Sequence, residues 1–157
     1  TLYVAPSHDE LSAEGHLYMD DGQTFAYRDD QAFLARKFTL TRDGPGHLRL
    51  ASTSLTGRDI HTSASSTALQ VPGNVYEQET SSVRVERVIV YGLPEVHRII
   101  ARDAHGHDTS LAFTYTSGTS RSPTASDASA MLASRLEIRD PRVLIGQDWS
   151  ILVETAP

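Results

Sequence analysis

The sequence contains no cysteine and only one asparagine, and both absences limit its chemistry. Without cysteine the chain has no disulfide framework, no thiol nucleophile and no thiolate metal site. The single asparagine, Asn74, is followed by Val75 and Tyr76, which is not the N-x-[ST] pattern of an N-glycosylation acceptor. Any reactive or binding group must therefore come from other side chains.

Positive charge and long hydrophobic runs are also scarce. The chain has 14 Lys and Arg residues against 20 Asp and Glu residues, and its formal net charge is −6. The basic residues are dispersed, which argues against a nucleic-acid partner and against a helix lying on a membrane surface. No apolar run approaches the roughly 18 residues of a membrane-spanning helix, so we expect no membrane partner.

What the sequence does contain is short apolar runs with a period of two. Leu48 and Leu50 alternate with more polar residues, and so do Trp149, Ile151 and Val153. Further strands are predicted over Val83–Tyr91, Glu95–Arg102 and Leu132–Arg139, with Gly- and Asp-containing turns between strands. This pattern predicts an all-β fold, an antiparallel β-sandwich of about eight to ten short strands.

Two polar stretches interrupt the strands, at residues 56–82 and 117–130. We interpret both as loop insertions into a single domain that spans residues 1–157, a length that fits one domain. Because the first residue is Thr1 and not Met, we expect the chain to be a piece of a longer polypeptide.

The first candidate site is Asp20-Asp21-Gly22, which lies between the apolar runs Leu17–Met19 and Thr24-Phe25. Asp-Gly between two apolar runs predicts a hairpin turn. A glycosidase would need two facing carboxylates, whereas neighbouring residues on a tight turn diverge. A calcium loop would need further oxygen ligands at set spacing, and none follow. We therefore interpret Asp20, Asp21 and Gly22 as a structural turn whose carboxylates cap its own amides.

The second candidate is His105-Gly106-His107-Asp108. Two histidines on a turn supply at most two metal ligands, and His61 or His97 would complete a site only in a particular fold. We interpret the segment as a solvated turn.

The sequence also lacks a nucleophile elbow and a phosphate-binding glycine loop. Trp149 with tyrosines suggests a sugar-stacking platform, but its place in an apolar row favours the core. We predict no catalytic, cofactor-binding or metal-binding residues and no cofactor.

Several motifs, taken in order, resemble one known family. Residues Gly15–Tyr27 match the pattern G-x-L-Y-x-D-D-G-x-[ST]-x-x-Y, and Phe33–Phe38 resembles the strand that follows it. Val85–Gly92 and Gln147–Ile151 extend the likeness to nearly the whole chain. Together they resemble the C-terminal, distal β-domain of family 31 glycoside hydrolases, closest to the α-glucosidases that trim glucose from N-linked glycans.

This resemblance implies a multi-domain retaining α-glucosidase of the endoplasmic reticulum lumen. In that family the catalytic aspartates lie in a (β/α)8 barrel, whose W-x-D-M motif is absent here. The implied partners are the barrel, on a separate chain or an omitted segment, and a regulatory β-subunit. The alternative is a free-standing carbohydrate-binding or subunit-interaction module. If the chain is the distal domain of such an enzyme, we expect a partner surface at the strand Leu2–Val4 and on one apolar face of the strands Val88–Tyr91 and Val96–Ile100, which substitutions of Ile89 and Ile99 would test.

Overall fold

The computed structural model describes residues 1–29, 32–55, 80, 82–118 and 133–156. These residues form ten strands and one short helix. In chain order they are β1 (Leu2–Val4), β2 (Ala13–Met19), α1 (Ala26–Asp29), β3 (Leu34–Arg42), β4 (His47–Ser54), β5 (Arg87–Tyr91), β6 (Val96–Arg102), β7 (Asp108–Ser110), β8 (Phe113–Thr116), β9 (Arg135–Arg139) and β10 (Trp149–Thr155).

The strands form two sheets with a common core. One sheet has the order β1-β5-β9-β8, and the other has the order β2-β3-β4-β10-β6-β7. The predicted all-β, antiparallel sandwich of about eight to ten short strands is confirmed. Among the described strands one pairing is parallel, that of β1 with β5, in which Leu2 lies opposite Val88. Two strands that are far apart in sequence can pair in this way, since no hairpin has to join them.

The core consists of alternate residues from the two facing sheets. In the six-stranded sheet Leu48, Leu50 and Ile151 are at most 2% exposed, and in the four-stranded sheet Val88 and Ile138 are fully buried. Burying each such side chain contributes about 1.5–3 kcal/mol. Trp149 joins this core at 4% exposure, which confirms its predicted place in an apolar row.

Strand β5 is shorter than predicted because Val83 to Glu86 take other partners. The amide of Val85 donates to the carbonyl of Val143, and Arg84 makes an isolated bridge to Leu144. Likewise β9 begins at Arg135, and Leu132 lies outside the described residues. The predicted polar loops 56–82 and 117–130 also fall almost wholly outside them.

The expected partner surface at Ile89 and Ile99 is contradicted. Ile89 is 2% exposed and Ile99 is fully buried, so both side chains are covered within the chain itself. Tyr3 on β1 is 70% exposed, so this strand still offers apolar surface to a partner, as expected. Within the described part of the chain, no helix has the length and hydrophobicity needed to cross a membrane.

Candidate functional site

The Asp20-Asp21-Gly22 turn directs its two carboxylates at backbone amides. Asp20 Oδ1 accepts the Gly22 N–H at 2.9 Å, and Asp21 Oδ1 accepts the amides of Gln23 and Thr24 at 3.1 and 3.0 Å. The Thr24 hydroxyl donates to Asp21 Oδ2 at 2.5 Å. These bonds, led by the hydroxyl of Thr24, hold the pKa of Asp21 below its ordinary value. Both carboxylates therefore serve the local geometry of the loop.

The connection between β2 and β3 differs from the predicted tight hairpin. β2 and β3 do pair antiparallel, with Met19 opposite Leu34, but Thr24 and Phe25 precede helix α1 and do not begin a strand. The amides of Arg28 and Asp29 both bond to the carbonyl of Phe25, which closes a single helical turn. Local turn chemistry was readable in the sequence, whereas the length of the connection was not.

Aromatic side chains lie on both sides of this turn in the sequence, and Tyr18, Phe25 and Tyr27 are exposed. The ring of Tyr18 stacks on the half-buried ring of Phe33 at 5.4 Å, and the rings of Phe25 and Tyr27 lie 6.3 Å apart. Arg28 lies over the Phe25 ring at 5.8 Å. Phe25 is 67% exposed, so this side of the sandwich has apolar surface available for contact.

Replacing Gly22 with valine tests the backbone role of the turn. Gly22 has a φ of 63°, and a Cβ there would meet no atom within 4 Å, so the expected cost is backbone strain alone. We expect Gly22→Val to lower the free energy of unfolding by about 1–2 kcal/mol in urea denaturation. Asp20→Asn should cost less because the amide oxygen still accepts the Gly22 N–H.

Gly15→Val is the matched control for this prediction. Gly15 lies in β2, has open space at its Cβ and is not in the left-handed region. Valine favours strands, so this variant should be no less stable than the parent. Metal uptake lost in Asp20→Asn, together with a larger destabilisation than in Gly22→Val, would instead make the turn a metal site.

A buried arginine joins two distant motifs. Arg36 on β3 is 1% exposed, and its Nε and Nη2 donate to the Ser52 hydroxyl at 3.1 and 3.0 Å. Nη2 also donates to the Gln147 carbonyl at 2.5 Å and to Asp148 Oδ1 at 2.8 Å. Asp148 Oδ1 in turn accepts the amide of Ser54 at 2.9 Å. The segment before β10 is thus fixed against β3 and β4.

Sequence reasoning did not identify the role of Arg36 or Asp148. Both lie inside motifs that carry the family resemblance, Phe33–Phe38 and Gln147–Ile151, yet they are 112 positions apart. The available signal was a charged residue within the apolar start of β3. Trp149 completes the contact, since its indole N–H donates to the Leu144 carbonyl at 3.1 Å and its ring lies 6.0 Å from Phe38.

The two histidines of the second candidate lie at the turn between β6 and β7. Asp103 Oδ1 accepts the amides of His105 and His107, each at 2.9 Å. The His107 amide, followed by that of His105, holds the pKa of Asp103 below its ordinary value despite partial desolvation. Beside it, Arg102 forms an ion pair with Asp108 at 2.7 Å. The described residues bring no three His, Asp or Glu side chains together as a metal site.

A third cluster lies on the outer side of the four-stranded sheet. The Glu137 side chain is 8% exposed, and its carboxylate pairs with Arg87 at 3.3 Å, Arg135 at 2.7 Å and Arg139 at 2.9 Å. We call these four residues the arginine face. Desolvation raises the pKa of Glu137, but hydrogen bonds from Arg135 and Arg139 outweigh it, so that the pKa lies below its ordinary value. Sequence reasoning missed this cluster, although β9 reads R-L-E-I-R with charge at every second residue.

An open groove lies where β1 meets the edge of the six-stranded sheet. It has a volume of about 310 Å³, and its lining includes Leu2, Val4, Leu17 and Phe38. All four side chains are partly buried and pack on the core.

Comparison with known proteins finds relatives that match nearly the whole of this chain. Neutral alpha-glucosidase AB of Homo sapiens is 26% identical over 151 residues, which cover 96% of this chain and 12% of that protein. The Sus scrofa protein of the same name is 25% identical over the same length. No protein-family profile matches the sequence.

Solved structures agree on the fold. The glucosidase II alpha subunit with DNJ bound superposes with a TM-score of 0.67 at 23% identity, over 96% of this chain and 14% of that one. Its Glc1Man2-bound form gives a TM-score of 0.65. In sequence and in fold the chain is therefore similar to a β-sandwich that lies within larger α-glucosidases. Homologues of this chain include the glucosidase II alpha subunit and neutral alpha-glucosidase AB, and the chain spans about an eighth of their length.

Proposed function

We propose that residues 1–157 form the non-catalytic distal β-sandwich of a retaining α-glucosidase that removes terminal α-linked glucose from N-glycans. The observation that supports this most is the combination of similarity over 96% of the chain with coverage of only 12% of the relative. The remaining length of the relative has room for a catalytic barrel, and the resemblance supports a barrel that lies outside this segment. The same resemblance supports an endoplasmic reticulum location and a regulatory β-subunit.

The geometry of the candidate carboxylates supports a scaffold role. Asp20 and Asp21 are adjacent and bond to amides of their own loop, which is not the facing arrangement that a retaining glycosidase needs. The groove beside β1 and the aromatic surface around α1 offer apolar contacts to the rest of the enzyme. The alternative, a sugar-binding module built on Trp149, is disfavoured because the Trp149 side chain lies in the core.

The test is hydrolysis of an aryl α-glucoside by the purified, folded chain. We expect no turnover above the buffer background, and we expect turnover from the complete enzyme that contains this segment. Hydrolysis by the pure chain that disappears when one of its own Asp or Glu residues is changed would contradict the proposal. Glucose oligosaccharide binding by the pure chain would instead support the sugar-binding alternative.

A further inference from the structure

We propose that the arginine face is a docking surface for an acidic, extended segment of a partner protein. This inference does not depend on the proposed enzymatic context, because it follows from the charge and geometry of the four-stranded sheet alone. The ion pairs of Glu137 with Arg87, Arg135 and Arg139 are the observation that carries it.

The strand register places these groups on one face. Glu137 lies directly opposite Ile89, and its neighbours two positions away, Arg135 and Arg139, lie opposite Tyr91 and Arg87. Side chains at every second position of a strand share a face, so the three guanidinium groups surround the central carboxylate. Strand β1 pairs with the other edge of β5, and its Tyr3 lies opposite Ile89. Directly paired residues share a face of the sheet, so the exposed ring of Tyr3 lies on the same face as Glu137.

Among the described residues, the ion pairs of this cluster are not balanced. Three guanidinium groups meet the one carboxylate of Glu137, which is an excess of two positive charges within these four residues, although the whole chain has a formal charge of −6. Arg87 and Arg139 are directly opposite across an antiparallel pair, an arrangement that is unfavourable for like charges. Arg139 is also 74% exposed, and each guanidinium has further N–H groups beyond those that Glu137 accepts. An anionic partner would satisfy both the charge and the donors.

The position of Glu137 determines which anion fits. A single small anion over the centre of the cluster would meet the carboxylate and be repelled. Arg135 and Arg139 lie on either side of it, four residues apart on one strand, which is about 13 Å along the strand axis. An occupant with several carboxylates in an extended chain can place one near each cationic end and lie across the centre. Its apolar portions can contact Tyr3.

The test is the binding of a fluorescent polyglutamate peptide to the purified chain, followed by anisotropy at low and at physiological salt. We expect binding that weakens with salt, with Arg139→Gln reducing the affinity about fivefold. Arg139→Lys should restore most of the loss because it keeps the charge. The matched control is Arg98→Gln, since Arg98 is similarly exposed but lies on the other sheet and pairs with Glu154.

Glu137→Gln gives the most specific outcome. It removes the central negative charge, so we expect it to strengthen peptide binding several-fold while it lowers the stability of the sheet. A merely structural role for the cluster predicts no gain in binding. Equal weakening by Arg98→Gln and Arg139→Gln, equal binding of a polylysine peptide, or competition by inorganic phosphate at the affinity of the peptide would each overturn the proposal.

Discussion

Replacing Arg36 with methionine is expected to lower the free energy of unfolding by about 3 kcal/mol, through loss of hydrogen bonds. Methionine fills most of the volume of the arginine stem, so a large cavity is not the cause. The substitution leaves the fully buried Ser52 hydroxyl and the Gln147 carbonyl without the donors they now have. Each buried polar group left unsatisfied costs about 1–3 kcal/mol.

The measurement is urea unfolding monitored by the fluorescence of Trp149, which is the only tryptophan in the chain and directly follows Asp148. Lys37→Met is the matched control, because Lys37 is the next residue of β3 and its ion pair with Glu14 is largely open to solvent. Arg36→Lys should fall between the parent and Arg36→Met, since an ammonium keeps the charge but not the planar fork of donors. Equal destabilisation by Arg36→Met and Lys37→Met would show that the buried arginine does not fix the segment before β10.

The contrast between Trp149 and Arg36 shows what the sequence could predict. Alternation of apolar residues in Trp149–Val153 identified a strand and its buried face, because side-chain direction in a strand depends only on the parity of position. The partners of Arg36 could not be read in this way. They lie on β4 and before β10, and only the sheet order β3-β4-β10 brings them together.

The Asp20-Asp21-Gly22 turn is a second case in which the sequence predicted one feature and missed the next. Carboxylates that accept amides two or three residues ahead are a local property, and the residue types alone indicated it. The four-residue helix α1 that follows was not indicated, since Thr24-Phe25 has an apolar, strand-like composition. The cluster around Glu137 could not be predicted because the sequence does not show which strand pairs with β9. Its three arginines lie on two strands and converge only when β5 and β9 pair in this register.

Together these features connect the motifs that carry the resemblance to family 31 glycoside hydrolases. The Asp-Gly turn orders the connection from β2 to β3, and β3 carries Arg36. Arg36 then holds the Gln147–Trp149 segment, from which the central strand β10 begins. Motifs from three parts of the sequence therefore support one structural unit, the centre of the six-stranded sheet.

The other large effect is expected from Ile99→Ser, which we predict to lower the free energy of unfolding by about 3–5 kcal/mol. Ile99 is fully buried on β6, lies opposite Val153 of β10 and belongs to the main core. Serine removes most of the apolar contact, leaves a cavity and places a hydroxyl among the apolar side chains of that core. Ile89→Ser should also destabilise strongly, because Ile89 is covered although it lies outside that core cluster.

The control for Ile99→Ser is His97→Ser, an exposed position on the same strand, where we expect a change within about 0.5 kcal/mol. Urea unfolding of the three variants gives the comparison directly. The result decides between two interpretations of the apolar residues on β5 and β6. If Ile99→Ser is folded with nearly unchanged stability, its side chain belongs to a surface that only a partner covers. If it is strongly destabilised while His97→Ser is not, β6 uses its apolar row for the core of this chain, and partner contacts must fall on exposed positions such as Tyr3 or Phe25.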